Sequence, residues 1–357
     1  VNGTMKFNFS ALPWQIIFGA GALQQLPSEL EKRGFRRALV LSTPEQRHHA
    51  EAVRDLIATH CAGIFDQAVM HVPIVTVNEA QTLAASLQAD CTVSIGGGST
   101  TGLGKALALK SGLPNVAIPT TYAGSEMTNV WGITEGGRKT TGRDNLVVPT
   151  FAIYDPELTL DLPAAISGPS GINAMAQAVV NVTASAPNPI ISALALDGIR
   201  ALAASLPQII DTPLNLEART QALYGACLCG AALGVGITGL HHRLCHTLGG
   251  TFNTSHADTH AILLAYSVAY NARSVVEGTQ RVAQAMGCED AARGIWDLLH
   301  RVSPKTNLRD LGLTQADLTK AADIATESAC LNPRAVTRDG VLQVLADAFN
   351  GEPPQSI

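Results

Sequence analysis

Residues 91–109 read CTVSIGGGSTTGLGKALAL. Thr92, Val93, Ser94 and Ile95 form the end of a buried strand. Gly96, Gly97 and Gly98 let the backbone turn tightly and come close to a ligand. Ser99 is a good N-cap, and the Ala/Leu run after it reads as a helix. A free helix N-terminus behind a glycine turn is a phosphate cradle. Its glycines are contiguous, so it is neither G-x-G-x-x-G nor a Walker loop.

Working outward, the same alternation continues on both sides. RALVLS (37–42) reads as a buried strand, and PEQRHHAEAVRDLIAT as a helix with Pro44 in its first turn. AGIFDQAV is a second strand, and NEAQTLAASLQA (78–89) a helix opened by Asn78. NVAIPTT and TFAIYDP are further strands. A β-α-β-α-β order implies an α/β domain with a doubly wound parallel sheet. After Pro156 strand signals nearly vanish. Segments such as ISALALDGIRALAASLPQII and THAILLAYSVAYNARSV keep helical spacing. The expected organisation is an α/β dinucleotide-binding domain over 1–158 and an all-α substrate and catalytic domain over 159–357.

Composition agrees with two packed domains. The chain has 357 residues, 46% apolar, 15% charged and only 4% aromatic, so Ala, Leu, Val and Ile must build the core. The net charge is −5 without a basic run, which argues against a nucleic-acid partner. No uncharged apolar stretch of about 18 residues stands out as a membrane span. The start, VNGTMKFNF, shows no secretory apolar run, and seven scattered cysteines suit a reducing compartment; a cytoplasmic protein is expected.

A second loop supports ligand binding. IPTTYAGSEMTN (118–129) follows another strand and offers Thr120, Thr121 and Ser125 around Gly124. At the carboxyl edge of a doubly wound sheet both loops would face one ligand. The strand ending VLSTPEQ carries Ser42 and Thr43 where NAD-specific sites place an acid. Use of both NADH and NADPH is therefore expected.

GLHHRLCHTLGGTFNTSHADTH (239–260) holds five of the ten histidines. His242 and His246 share a helix face, as do His256 and His260. His241 turns away from 242 and 246. It reads as an ordinary surface or core residue, as do His48, His49, His60, His71 and His300. Gly249-Gly250 should stop the first helix, and Ser255 or His256 should start the next. A metal would still want a carboxylate, and only Asp258 lies in the window. Upstream, Asn173 and Gln177 have ligand spacing, but neutral amides add no charge.

These residues together resemble the iron-containing (group III) alcohol dehydrogenases, and specifically their maleylacetate reductase branch. GGGSTTGLGKA, GRKTTGRD, YDPELTL, GLHHRLCHTLGG, HADTHAILL and NPRAVTRDG carry the likeness, from FGAGAL (18–23) to residue 340. The resemblance implies a nucleotide domain joined to a helical domain, as in dehydroquinate synthase-like folds, and a homodimer. It implies reduction of maleylacetate to 3-oxoadipate by NADH or NADPH, late in aromatic-compound degradation. The family's Asp-x-x-x-His metal pair falls on Asn173 and Gln177, and its two later ligands on His242 and His256. Val180 stands where glutamate is common. No metal is expected, and His242, His246 and His256 become the catalytic set.

The substrate is a dicarboxylate. Arg243, Arg138, Lys139, Arg143 and Arg334 are offered for its carboxylates, Tyr122, Asn173 and Gln177 for hydrogen bonds, and Lys139 alternatively for the nucleotide. Two other readings are a metal-dependent alcohol dehydrogenase of the same fold and a degenerate nucleotide-binding relative without turnover.

Overall fold

The computed structural model describes residues 6–136 and 138–355. Two compact units divide the described residues: Ala11–Leu162, and residues 163–355 together with residues 6–10. The early segment thus joins the second unit rather than the first. Asn188 Nδ2 donates to the Asn8 carbonyl at 2.9 Å, a bond that local sequence does not announce.

In the first unit, β1 (Ile16–Phe18) precedes α1 (Leu26–Lys32), β2 (Ala38–Leu41), α2 (Arg47–Ile57) and β3 (Cys61–Phe65). Then come α3 (Ile74–Ser86), β4 (Cys91–Gly96), α4 (Gly98–Ser111) and β5 (Asn115–Pro119). β6 (Val130–Glu135) and β7 (Arg138–Arg143) form an antiparallel hairpin, and β8 (Phe151–Tyr154) closes the unit. Six strands lie in the order β1-β8-β5-β4-β2-β3, all parallel. Both faces are covered: Val40, Val93, Ile95 and Ile118 pack on one side, Leu39, Leu41, Leu103 and Leu107 on the other. Sheets buried on both faces read as continuous apolar runs, which is why β2 and β5 were legible.

Four elements differ from expectation: α3, β1 and the paired strands β6 and β7. The helix expected from Asn78 begins at Ile74 behind Pro73, because Val77 and Ala80 face the core one turn earlier. β1 is only three residues long and borders β8 alone, too short for a periodic signal. The β6–β7 hairpin is polar along most of β7, whose pattern is exposed, so no apolar alternation marked it.

Helix α4 packs tightly on the sheet. A Cβ on Gly104 would sit 2.3 Å from Ser94 Oγ and 2.5 Å from Asn115 Oδ1. Asn115 Oδ1 accepts from both Thr92 and Ser94, at 2.9 and 2.8 Å. The glycine in TTGLGK therefore lets a helix ride directly over this buried polar knot.

The second unit is helical: α5 (Ala164–Val182), α6 (Pro189–Asp211), α7 (Leu216–Val235), α8 (Leu240–Phe252), α9 (His256–Asn271), α10 (Val276–Met286), α11 (Ala291–Val302), α12 (Gln315–Thr326) and α13 (Arg338–Asn350). α5 packs against α6, α7 and α9, and α8 against α9. Among the described residues α6 alone is, as a single helix, long and apolar enough by composition to cross a membrane. It is an amphipathic bundle helix. Ile191, Ala195, Ile199, Leu202, Leu206 and Ile209 are buried, while Asp197 on the other face bonds Arg200 and Tyr224.

Candidate active site

In the first unit, three loops meet at the carboxyl ends of β2, β4 and β5. Gln46 Nε2 donates to Thr120 Oγ1 at 2.8 Å, and the Thr120 N–H donates to the Gly96 carbonyl at 3.1 Å. The chain reverses its direction across the sheet between β2 and β4, where ligands of such folds bind. Gly96 has φ +149°, and a Cβ there would lie 2.5 Å from Thr100 Oγ1 and 2.8 Å from Gln46 Oε1. A Cβ on Gly97 would lie 3.0 Å from Thr121. So the first glycine is required by conformation and contact, and the second by close approach.

The N-cap of α4 is Gly97, not Ser99, which sits inside the first turn. Gly97 makes no side-chain cap, so the first turn's N–H groups have no capping side chain and point at the loop cluster. This favours an anion more strongly than the expected serine cap would. Thr121, Ser125 and Ser99 are half-buried around it, and Gly98 is exposed. Ser42 is buried at the end of β2, and its Oγ has no hydrogen-bond partner among the described residues. Thr43 caps the short turn Pro44–Gln46. The Glu45 backbone N–H and then the Thr43 hydroxyl bond the Glu45 carboxylate and hold that acid below its ordinary value. An acid therefore stands two residues beyond the position left neutral in the sequence reading.

Lys105 is what the sequence conceals. Its Nζ is buried and donates to the carbonyls of Ser125, Thr128 and Val130 and to Thr128 Oγ1, at 2.5, 2.8, 2.9 and 2.8 Å. One lysine thus organises the whole 125–130 segment. Burial pushes its ammonium down to about 7, against the pull of buried Glu126. Glu126 in turn accepts from Tyr154 Oη at 2.7 Å. A lysine in an Ala/Leu helix ordinarily reads as solvated, so only the fold reveals this role.

Tyr122 is fully buried in this unit. Arg138, Lys139 and Arg143 lie on exposed β7, where Lys139 crosses Gly132 of β6 with its Cε 3.0 Å from where a Cβ would stand.

In the second unit, α8 and α9 gather five imidazoles. Ring centroids lie 6.4 Å apart for His242–His246, 6.5 Å for His246–His256, 4.4 Å for His256–His260 and 5.3 Å for His242–His260. His242 is buried, whereas His246 and His256 are exposed. α8 runs through Gly249-Gly250 and ends at Asn253, whose φ of +54° supplies the left-handed stop. Ser255 precedes α9, which starts at His256 as expected.

His241 does not stand aside. Its Nε2 lies 3.0 Å from His260 Nδ1 and its Nδ1 3.3 Å from Ser267 Oγ, all buried. Burial, then the neighbouring imidazoles His246 and His256, pushes His241 down to about 3 and His260 well below the ordinary value. Both are neutral near pH 7. In the unfolded chain they take protons near pH 6.5. Between about pH 6.5 and 3 the unfolded state binds more protons, so stability falls as pH drops through that window. Buried Glu126, held above the ordinary carboxylate value by desolvation, acts with opposite sign in this window, so the thermal midpoint of Glu126→Gln should decline measurably between pH 7 and 5. A flat midpoint across that range contradicts the assignment.

Asp258 pairs with Lys305 at 3.0 Å and is committed there. Arg243 donates to Ser328 Oγ at 2.8 Å and to the Ala329 carbonyl at 3.1 Å. Arg334 donates to the Tyr270 carbonyl at 3.0 Å and covers the Tyr270 ring at 4.2 Å. Both arginines tie the 328–335 segment to the bundle. Asn173 and Gln177 are buried on α5, and Asn173 Oδ1 has no hydrogen-bond partner among the described residues.

A model of iron-containing alcohol dehydrogenases matches residues 13–156, and a model of the C-terminal domain of that family matches 168–349. This chain belongs to the iron-containing alcohol dehydrogenase family. Within it, the chain is 49% identical over 348 residues to maleylacetate reductase of Burkholderia cepacia, covering 98% of this chain and 99% of the relative. It is 48% identical over 350 residues to maleylacetate reductase of Sphingobium indicum, with 98% and 99% covered. Among solved structures, maleylacetate reductase from Agrobacterium tumefaciens superposes with TM-score 0.94 at 42% identity, covering 98% of this chain and 100% of that one. The enzyme from Rhizobium sp. strain MTP-10005 superposes with TM-score 0.93 at 43% identity and the same coverage.

Iron is implied by the family name, and the donor set here does not fit it. Asn173, Gln177, His242 and His256 supply two amides and two imidazoles, with no negative charge. Neutral amides are weak ligands for a divalent cation. The unpartnered Asn173 Oδ1 is a neutral acceptor, where a family ligand would be an anionic carboxylate.

Proposed function

We propose that this chain reduces maleylacetate to 3-oxoadipate with NADH or NADPH. The likeness to maleylacetate reductases along nearly the whole chain carries this reading. A bound reduced nicotinamide supplies the hydride. The glycine turn at 96–98, the start of α4 and the hydroxyls of Thr120, Thr121, Ser99 and Ser125 would bind its phosphates. Ser42, Thr43 and Lys139 are assigned to the rest of the nucleotide.

Hydride adds to the carbon–carbon double bond that is conjugated to the ketone. Negative charge moves to the ketone oxygen as an enolate, and a proton at the adjacent carbon completes the reduction. We assign His242 as donor to the enolate oxygen or as the acid, assisted by His246 and His256. Imidazole serves either task near neutral pH. The Asn173 and Gln177 amides are assigned to the substrate, and no step uses a metal.

The assay is NADH oxidation at 340 nm with maleylacetate, before and after EDTA treatment and desalting. Turnover that survives chelation supports the reading. Turnover lost with EDTA and restored by iron favours a metal-dependent alcohol dehydrogenase. Nucleotide binding without turnover favours a degenerate relative.

Glu45 refines the expectation of dual cofactor use. A carboxylate beside Thr43 opposes a 2′-phosphate, so both cofactors work with NADH ahead. Glu45→Gln should raise the NADPH-to-NADH ratio of kcat/KM by about 3- to 10-fold, the effect of one screened charge. An unchanged ratio removes Glu45 from this role. We further propose a homodimer. The edge strand β1 exposes Ile16 and Phe18, an apolar edge suited to burial by a second copy. A cytoplasmic setting fits the seven free cysteines and the need for reduced nicotinamide.

A further inference from the structure

His241 and Cys245 are one helical turn apart on α8, and His260 faces them from α9. All three are buried. His241 Nε2 lies 3.0 Å from His260 Nδ1 and 3.7 Å from Cys245 Sγ. One ligand atom from each of the three lies within 4.8 Å of the others. A tetrahedral zinc ion, with bonds of about 2.0–2.1 Å to nitrogen and about 2.3 Å to sulfur, sets its ligand atoms roughly 3.3–3.6 Å apart. We propose that His241, Cys245 and His260 form a binding site for a thiophilic divalent cation of the zinc class.

This set shares no residue with the family's ligand positions, Asn173, Gln177, His242 and His256. It also differs in chemistry, since a thiolate and two imidazoles suit zinc or cobalt. Each imidazole turns one ring nitrogen to the cluster, His241 Nε2 and His260 Nδ1. Ser267 Oγ lies 3.3 Å from His241 Nδ1, an outer contact able to accept from Nδ1–H in the tautomer that presents Nε2 inward. A cavity of about 280 Å³ touches His241 and its neighbour Ser267, with Val180 and Leu264 on its wall, so one of the three ligands borders open space. Val180 on that wall stands where glutamate is common in the family, so no carboxylate competes for the ion there.

On binding, the proton shared between His260 Nδ1 and His241 Nε2 moves to His260 Nε2, both facing nitrogens bond the metal, and the Cys245 S–H proton leaves to solvent. The ion would sit beside His242, whose ring centroid is 5.4 Å from His241 and 5.3 Å from His260. Turnover by His242 needs no such ion, so the site is an addition to the catalytic set and not part of it.

The test uses the full-length protein, stripped with EDTA under reducing conditions and titrated with Co²⁺. We expect one equivalent to give a thiolate-to-cobalt charge-transfer band in the near ultraviolet, displaced by Zn²⁺. Cys245→Ser should abolish the band, whereas Asn173→Ala should leave it. If Cys245→Ser does not fold, His260→Gln serves in its place and should abolish or shift it. No band in the wild-type protein, or a band that survives both Cys245→Ser and His260→Gln, overturns the proposal. The readout does not depend on turnover, so it stands or falls apart from the assigned substrate.

Discussion

Replacing His242 with alanine should lower kcat for maleylacetate reduction by about 10²- to 10⁴-fold, the usual contribution of a positioned acid or hydrogen-bond donor. KM should move far less, because the interaction is made to charge that exists only as hydride arrives. His242 is buried on α8, with His246 and His260 as ring neighbours. Removing it leaves a cavity but no unpaired charge. Folding should therefore survive, checked by circular dichroism and by unchanged nucleotide binding. A folded variant with near-normal kcat refutes the assignment. Substituting the exposed His246 or His256 should cost less, which orders the three residues.

Replacing Lys105 with methionine should affect both stability and nucleotide affinity. Lys105 Nζ serves three carbonyl oxygens and one hydroxyl of residues 125–130. Methionine fills much of the volume and satisfies none of them. Buried acceptors left without a donor cost about 1–3 kcal/mol each when the loop cannot relax. Allowing for relaxation, we expect a loss of about 3 kcal/mol, or roughly 6–12 °C in the thermal midpoint. The same segment continues from Thr121, which lies against Gly97 of the glycine turn, so KM for NADH should rise by roughly tenfold with kcat affected less. A stable variant with unchanged KM would show that Lys105 organises nothing the nucleotide senses.

The architecture was largely legible because its signals are local. A strand buried on both faces reads as an apolar run, as in ALVL of β2 and FAIY of β8. A glycine turn needs its glycines wherever the rest of the chain lies. Helical spacing after Pro156 reports a bundle without naming its neighbours. Where the signal was weak the reading slipped: α3 began four residues before Asn78, and the polar hairpin of β6 and β7 left no pattern.

The site was legible by type and only partly by arrangement. Spacing alone placed His242 and His246 on one face and started α9 at His256. It set His241 aside, because helical phase measures direction around one axis and says nothing of what a second helix brings. α9 brings His260, 19 residues later, to within 3.0 Å. Arg243 and Arg334 looked available for carboxylates because formal charge is visible in sequence. Their engagement with the 328–335 segment is not.

By itself, then, the sequence determined the class of the apolar strands and of the helices, the glycine turn, the histidine-rich helix pair and the absence of a carboxylate at Asn173 and Gln177. The tertiary structure alone decided which polar side chains meet: Lys105 with the 125–130 carbonyls, Glu45 with Thr43, and His241 with Cys245 and His260. The physical reason is one of range. Periodicity and turn chemistry are set by neighbours a few residues apart, whereas a buried polar atom finds its partner only once packing has brought distant segments together.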